Sequence, residues 1–238
     1  MLVLWLLYDL LSPIGERSNS DRYSLPDERG IPKREGIMID LKIIPIETDI
    51  LIIGGGIAGC MAAIKAAEEK SLRVTLVDKS NTMASGCAAS GIDHIWSYIP
   101  PIHERMGYTI EDMAEDHRQG IAFGFLRKDL FCLIAGTMYE RVLDLERFGL
   151  NFRYEDSNVP GKFRIVPQFH SVPTSFNFDG KLLKLKLTQE AKRRGVSIIN
   201  RVQMTDLIKT NRQISGAVGV GTRTGDIYFF KAKAVILS

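Results

Sequence analysis

The chain alternates between short apolar runs and longer amphipathic stretches, and this rhythm predicts an α/β protein. Ile50-Leu-Ile-Ile is an unbroken apolar run, as expected for a strand buried on both faces. It passes through glycines into a helical pattern from about Ile57 to Lys70, and Arg73-Val-Thr-Leu-Val-Asp then reads as a second buried strand. Thr109, followed by acids, marks a helix start. Residues 127–148 predict a long amphipathic helix, with Leu130, Leu133, Ile134, Met138, Val142, Leu145 and Phe148 as its core stripe and Gly149 as its stop.

Further on, Gly180 to Arg194 reads as a helix ended by Gly195, and Val196-Ser-Ile-Ile-Asn as a third parallel strand. Residues 202–210, 214–222 and 226–230 alternate in the manner of an antiparallel meander with a tight turn at Thr224-Gly225-Asp226, and residues 233–237 return to the parallel sheet. The predicted fold class is α/β: a parallel sheet with helices and an antiparallel β-meander crossover. Residues 150–179 carry Pro160, Pro167, Pro173 and five aromatics without a clear period, and are expected to be a polar-aromatic loop.

The chemistry concentrates where the first strand meets the first helix. Gly54, Gly56 and Gly59 form G-x-G-x-x-G, and Asp78 follows 19 residues after Gly59. With a strand before it and a helix after it, this is the dinucleotide fingerprint in its required context. Gly54 permits the tight turn, Gly56 lets the backbone approach a pyrophosphate, and Gly59 allows close helix–sheet packing. The amides of Ile57 and Ala58 open the helix and face the phosphates with its positive end. A carboxylate at Asp78 accepts hydrogen bonds from ribose hydroxyls and disfavours a 2′-phosphate.

The fingerprint does not separate FAD from NAD. Residues 79–92, Lys-Ser-Asn-Thr-Met-Ala-Ser-Gly-Cys-Ala-Ala-Ser-Gly-Ile, are a run of small side chains that lets backbone amides crowd against a flat ring. Here the chain resembles the FAD-binding domain of the succinate dehydrogenase/fumarate reductase flavoprotein superfamily. The matching pieces are Asp49-Ile-Leu-Ile-Ile-Gly-Gly-Gly-Ile-Ala-Gly-Cys, Val77-Asp-Lys, Ser85-Gly-Cys-Ala-Ala-Ser-Gly-Ile and Phe230-Lys-Ala-Lys-Ala-Val-Ile-Leu. Within the superfamily it is most similar to the adenylylsulfate reductase alpha-subunit group, over about residues 46–238.

The resemblance implies FAD as cofactor, with Ser85, Gly86 and Ala89 near the isoalloxazine, Lys79 near the adenosine ribose, and the Val202 backbone at the adenine edge. Respiratory members often carry a histidine beside this serine that bonds covalently to FAD. Gly86 stands there instead, so non-covalent FAD is expected. The resemblance also implies a small anionic substrate, an iron–sulfur electron-transfer partner, and a cytoplasmic location, peripheral to a membrane at most through that partner. It places the family's catalytic Arg and His beyond residue 238, leaving the catalytic residues unknown. On this reading the fold is a Rossmann-like FAD/NAD(P)-binding domain, and residues 38–238 are an FAD-binding domain that stops short of the turn that normally follows its last strand.

Composition limits the alternatives. The chain has 238 residues, 45% hydrophobic and 25% charged, with a net charge of +3 that gives no argument for nucleic acid. Cys60, Cys87 and Cys132 form neither a C-x-x-C nor a zinc spacing, as suits a reducing compartment. Cys60 reads as a packing residue. His117 and His103 read as solvent-facing, while His94 and His170 are candidates for the substrate side, and no pair of histidines has metal-ligand spacing.

The apolar N-terminus, Met1-Leu-Val-Leu-Trp-Leu-Leu-Tyr-Asp-Leu-Leu, is far shorter than the roughly 20 residues that span a bilayer. No transmembrane span is expected. Residues 1–37 read as a disordered leader, with Met38 as an alternative start that intact-mass measurement would test. A disulfide-type or monooxygenase-type flavoenzyme is disfavoured, because the chain has neither C-x-x-x-x-C nor a second G-x-G-x-x-G. A non-catalytic FAD-binding remnant or scaffold stays open.

Overall fold

The computed structural model describes residues 41–120, 122–154, 162–166 and 172–238. The expected leader and Met38 start, and Pro160, Pro167, Phe169 and His170, lie outside the described residues.

Strand β1 (Ile43–Ile53) leads through the glycines into helix α1 (Ile57–Ala66), and β2 (Val74–Asp78) follows. All five β2 residues are buried, as are Leu51 and Ile52 of β1, consistent with strands covered on both faces. The first helix ends at Ala66 rather than near Lys70. Residues 67–72 instead form turns that bring the chain back to β2.

A loop with two short 3₁₀ turns (Thr82–Ala84 and Cys87–Ser90) leads to β3 (His94–Trp96), α2 (Pro100–His103), α3 (Ile110–Gln119) and α4 (Lys128–Arg147). Thr109 caps α3 in a reciprocal capping box with Asp112. Strands β4 (Ile165–Val166) and β5 (Ser175–Asn177) complete a small antiparallel sheet of order β3-β5-β4. Helix α5 (Leu183–Arg193), β6 (Ser197–Asn200), β7 (Val202–Thr210), β8 (Gln213–Gly221) and β9 (Ile227–Leu237) follow.

The main sheet has the order β6-β2-β1-β9-β8-β7, parallel from β6 to β9 and antiparallel from β9 to β7. Alternation along β1 and β2 divides the core in two. Ile52 and Leu76 face the helices with Ala63, Ile64, Leu187 and Ala191. Leu51 and Val77 face the other way, with Val202, Ala217 and Phe230 of the meander. Arg201, at φ +66°, is the single residue between β6 on one edge and β7 on the opposite edge, and it turns the chain onto the meander face. Asn211 and Arg212, both at positive φ, join β7 to β8 in a two-residue hairpin turn.

Three further expectations change. The described residues of 150–179 are not a loop throughout: they supply β4 and β5, and Phe152, Phe163 and Phe176 are buried in the core. Residues 226–230 and 233–237 are not separate strands. They form one strand, β9, which pairs with β8 through its first half and with β1 along its whole length. The α4 stripe is also shifted. Leu130, Leu133 and Ile134 are exposed, and the buried face at that end instead uses Ala135, beside Phe131, against Trp96, Tyr98 and Met113. The run Leu-Phe-Cys-Leu-Ile is apolar on every side, so periodicity alone left two possible faces. Val142 and Leu145 are buried as expected.

Candidate functional site

The glycine turn is built by close backbone contacts. Gly54 has φ +108°, and a Cβ there would lie 2.1 Å from the Ser238 carbonyl oxygen. A Cβ on Gly59 would lie 1.8 Å from the Gly54 carbonyl oxygen, so α1 sits against the turn with no room for a methyl group. Gly56 differs. A Cβ on it would meet nothing within 4 Å, so this glycine faces open space. A Cβ on Gly86 would lie 3.1 Å from the Gly56 Cα, which places the small-residue loop beside the turn.

Gly56 is also the N-cap of α1, with no side-chain cap and no acid in the first turn. The first amides of a helix, here those of Ile57 and Ala58, have no intrahelical acceptor. The turn therefore offers backbone donors and the positive end of α1 beside a space free of side chains, which is an anion cradle.

Asp78 ends β2 and is buried. Its Oδ2 accepts from the Gly55 amide at 2.7 Å and from the Ser85 hydroxyl at 2.6 Å, and its Oδ1 accepts from the Ser80 amide at 2.6 Å. Burial pushes the Asp78 carboxyl upward, but the bonds from Ser85, Ser80 and Gly55 and the nearby Lys184 ammonium outweigh it and hold the group below its ordinary value. Asp78 thus joins the glycine turn to the loop. Both lone pairs of Oδ2 are used, and Oδ1 keeps one further lone pair.

Two contacts extend this frame. Asn200 at the end of β6 accepts through Oδ1 from the Thr82 amide at 2.8 Å and the Thr82 hydroxyl at 2.7 Å. Lys184 of α5, only 2% exposed, donates from Nζ to the Gly55 carbonyl oxygen and lies 3.2 Å from the Cys60 Sγ. Burial pushes the Cys60 thiol up, in keeping with its expected packing role. Gly55, Thr82, Lys184 and Asn200 were missed by sequence reading. Gly55 had a visible signal as the middle of three glycines. The other three are brought in only by the fold.

The remaining sequence candidates spread around this frame. Ala58, Lys79 and Gly86 are exposed, Ile57, Ser85 and Ala89 are half-buried, and Val202 is buried at the start of β7. His94, half-exposed on β3, pairs through Nδ1 with Asp93 Oδ1 at 2.5 Å.

Two histidines expected in solvent are not there. His103 is fully buried: its Nδ1 accepts from the Ile99 amide at 2.8 Å, and its Nε2 is 2.8 Å from the Pro173 carbonyl oxygen. His117 is half-buried, with its ring 5.0 Å from Trp96 and 4.8 Å from Phe131. Their neighbours in sequence are polar, and packing from distant segments covers them.

Among the described residues no group of three His, Cys, Asp or Glu is placed to hold a metal ion, and no helix is long and apolar enough to cross a membrane. A cleft of about 240 Å³ between α1, α4 and α5, lined by Met61, Lys65, Arg141, Asp144 and Arg194 among others, includes none of the glycine-turn residues.

Comparison with known proteins agrees with this geometry. The family model described as FAD binding domain matches residues 49–238. One component of the fumarate reductase (CoM/CoB) of Methanothermobacter marburgensis is 28% identical over 200 residues, covering 81% of this chain and 35% of the relative. The alpha chain of adenylylsulfate reductase from Megalodesulfovibrio gigas is 24% identical over 235 residues, covering 88% of this chain and 33% of the relative. Among solved structures, adenylylsulfate reductase from Archaeoglobus fulgidus superimposes with a TM-score of 0.70 at 32% identity, over 84% of this chain and 31% of that one. The chain spans about a third of the length of these relatives.

Proposed function

This chain belongs to the FAD binding domain family, and from that premise we propose that it is the nucleotide-binding part of a flavoprotein oxidoreductase of the fumarate reductase/adenylylsulfate reductase type. The observation that carries the proposal is the juxtaposition at the glycine turn. Open space over Gly56, the amides of Ile57 and Ala58, the buried Asp78 and the small-residue loop at Gly86 all meet there. These residues fit FAD.

In this reading the amides of Gly56, Ile57 and Ala58 bind the diphosphate, and the spare lone pair of Asp78 Oδ1 accepts from the adenosine ribose, with Lys79 beside it. The loop around Ser85, Gly86 and Ala89 lies along the isoalloxazine, and Val202 presents its backbone to the adenine. FAD supplies the electron-transfer chemistry when bound, and the chain's residues hold and orient it. With Gly86 following Ser85, the attachment is non-covalent. The substrate is a small anion, and the electrons pass to or from an iron–sulfur protein.

The test is the flavin content of the purified full chain. Stoichiometric flavin that is released into the supernatant by acid precipitation supports non-covalent binding. A colourless protein that does not take up added FAD refutes the cofactor reading. Turnover of fumarate or adenylylsulfate would rule out a non-catalytic FAD-binding scaffold.

A further inference from the structure

Lys184 is the buried charge that the cofactor reading leaves unused. It projects from the first turn of α5, is 2% exposed, and makes no ion pair with any described residue. Its ammonium donates to the Gly55 carbonyl oxygen and meets the Cys60 sulfur at 3.2 Å. The opposite end of Gly55 is held too, because its amide donates to Asp78 Oδ2 at 2.7 Å. One residue of the turn is thus gripped by a carboxylate at its N–H and an ammonium at its C=O. Gly55 has no space for a side chain that would otherwise set its orientation, since a Cβ there would lie 2.8 Å from Asp78 Oδ2 and 3.0 Å from Thr82 Oγ1.

An ammonium removed from water without an ion-pair partner is costly, and such a group is strongly stabilised when an anion comes within reach. Asp78 feels its field but is not in contact with it. A carbonyl oxygen turned toward an anion site would repel the anion, whereas one held away leaves the following amides of Gly56, Ile57 and Ala58 as the face of the turn.

We propose that Lys184 is a positioning residue of the anion cradle: it turns the Gly55 carbonyl away from the face that receives the diphosphate and lends that face a buried positive charge. The proposal rests on the FAD reading and adds to it a residue outside the fingerprint, 125 positions after Gly59.

The test compares two probes on the full chain freed of flavin: ADP, which carries the diphosphate, and adenosine, which does not. Binding of each is measured by calorimetry for the natural sequence and for Lys184→Met. The expected result is that the preference for ADP over adenosine falls about tenfold or more in the variant. An unchanged preference, whatever the absolute affinities, overturns the proposal, because general loosening of the fold weakens both probes alike. If Lys184→Met does not give folded protein, the same ratio is read on Lys184→Gln. Failure of the natural sequence to bind either ADP or FAD would instead count against the cofactor reading itself.

Discussion

The Ser85 hydroxyl donates to Asp78 Oδ2 at 2.6 Å, and this bond fastens the small-residue loop to the end of β2. The same oxygen receives the Gly55 amide, so loop, strand and glycine turn share one carboxylate. A hydrogen bond to a charged acceptor contributes about 1.5–3 kcal/mol. Ser85→Ala should therefore weaken FAD binding roughly tenfold or somewhat more, as read by quenching of flavin fluorescence during titration. Native-like affinity in this variant would mean that the loop is ordered by other contacts.

Gly56 and Gly59 belong to one motif but should fail in different ways. A methyl group at Gly59 collides with backbone at 1.8 Å, whereas one at Gly56 enters empty space and its φ of −67° suits alanine. Gly59→Ala should cost about 1–3 kcal/mol of stability or more, as overpacking does. Gly56→Ala should leave the thermal midpoint of the flavin-free protein unchanged and weaken FAD binding at least tenfold. Thermal scans with and without FAD on both variants separate the two effects. A Gly56→Ala protein that binds FAD normally would remove Gly56 from the cradle.

His103 serves the fold. With both ring nitrogens engaged by backbone groups of Ile99 and Pro173, it joins α2 to the segment before β5. His103→Leu leaves a buried N–H and a partly buried C=O unpaired and should destabilise by about 2–4 kcal/mol. The flavin-to-protein ratio of the folded fraction should not change. Urea denaturation with flavin quantification checks both halves, and a loss of flavin at intact stability would reassign His103 to the site.

Asp49 should dominate part of the acid response. The Arg73 amide at 2.7 Å, then Lys233 at 3.0 Å and the Arg73 side chain, hold its carboxyl far below the ordinary carboxylate value. Because the folded value is lower than the unfolded one, near 3.9, the contribution is complete above that pH. It is lost as pH falls from there toward the folded value. The stability difference between the natural sequence and Asp49→Asn should be constant from about pH 7 to pH 5 and shrink below about pH 4. Denaturant titrations at stepped pH test this, and a difference that grows on acidification would contradict it.

Much of the frame was legible before folding, for reasons that are local. The buried runs at Ile50–Ile53 and Val74–Val77 identify strands by composition, and the capping box at Thr109 lies within four residues. The first glycine motif was readable because each residue does its work on neighbours a few positions away. The α4 stripe was misplaced at one end for the converse reason: Leu130, Leu133 and Ile134 are as apolar as Phe131 and Ala135, and only the location of Trp96 and Met113 selects the buried side.

The sequence by itself determined the fold class, the dinucleotide turn, the family and its cofactor, because these depend on short-range spacing and on glycine where backbone must approach backbone. The tertiary structure alone decided that β9 is one continuous strand serving both halves of the sheet, that His103 is buried, and that Asn200 holds Thr82. It also decided that Lys184 reaches Gly55 across 129 residues of chain. Such contacts join segments whose separation in sequence carries no periodic or spacing signal, and they arise only when β2, β6 and α5 pack around the same turn.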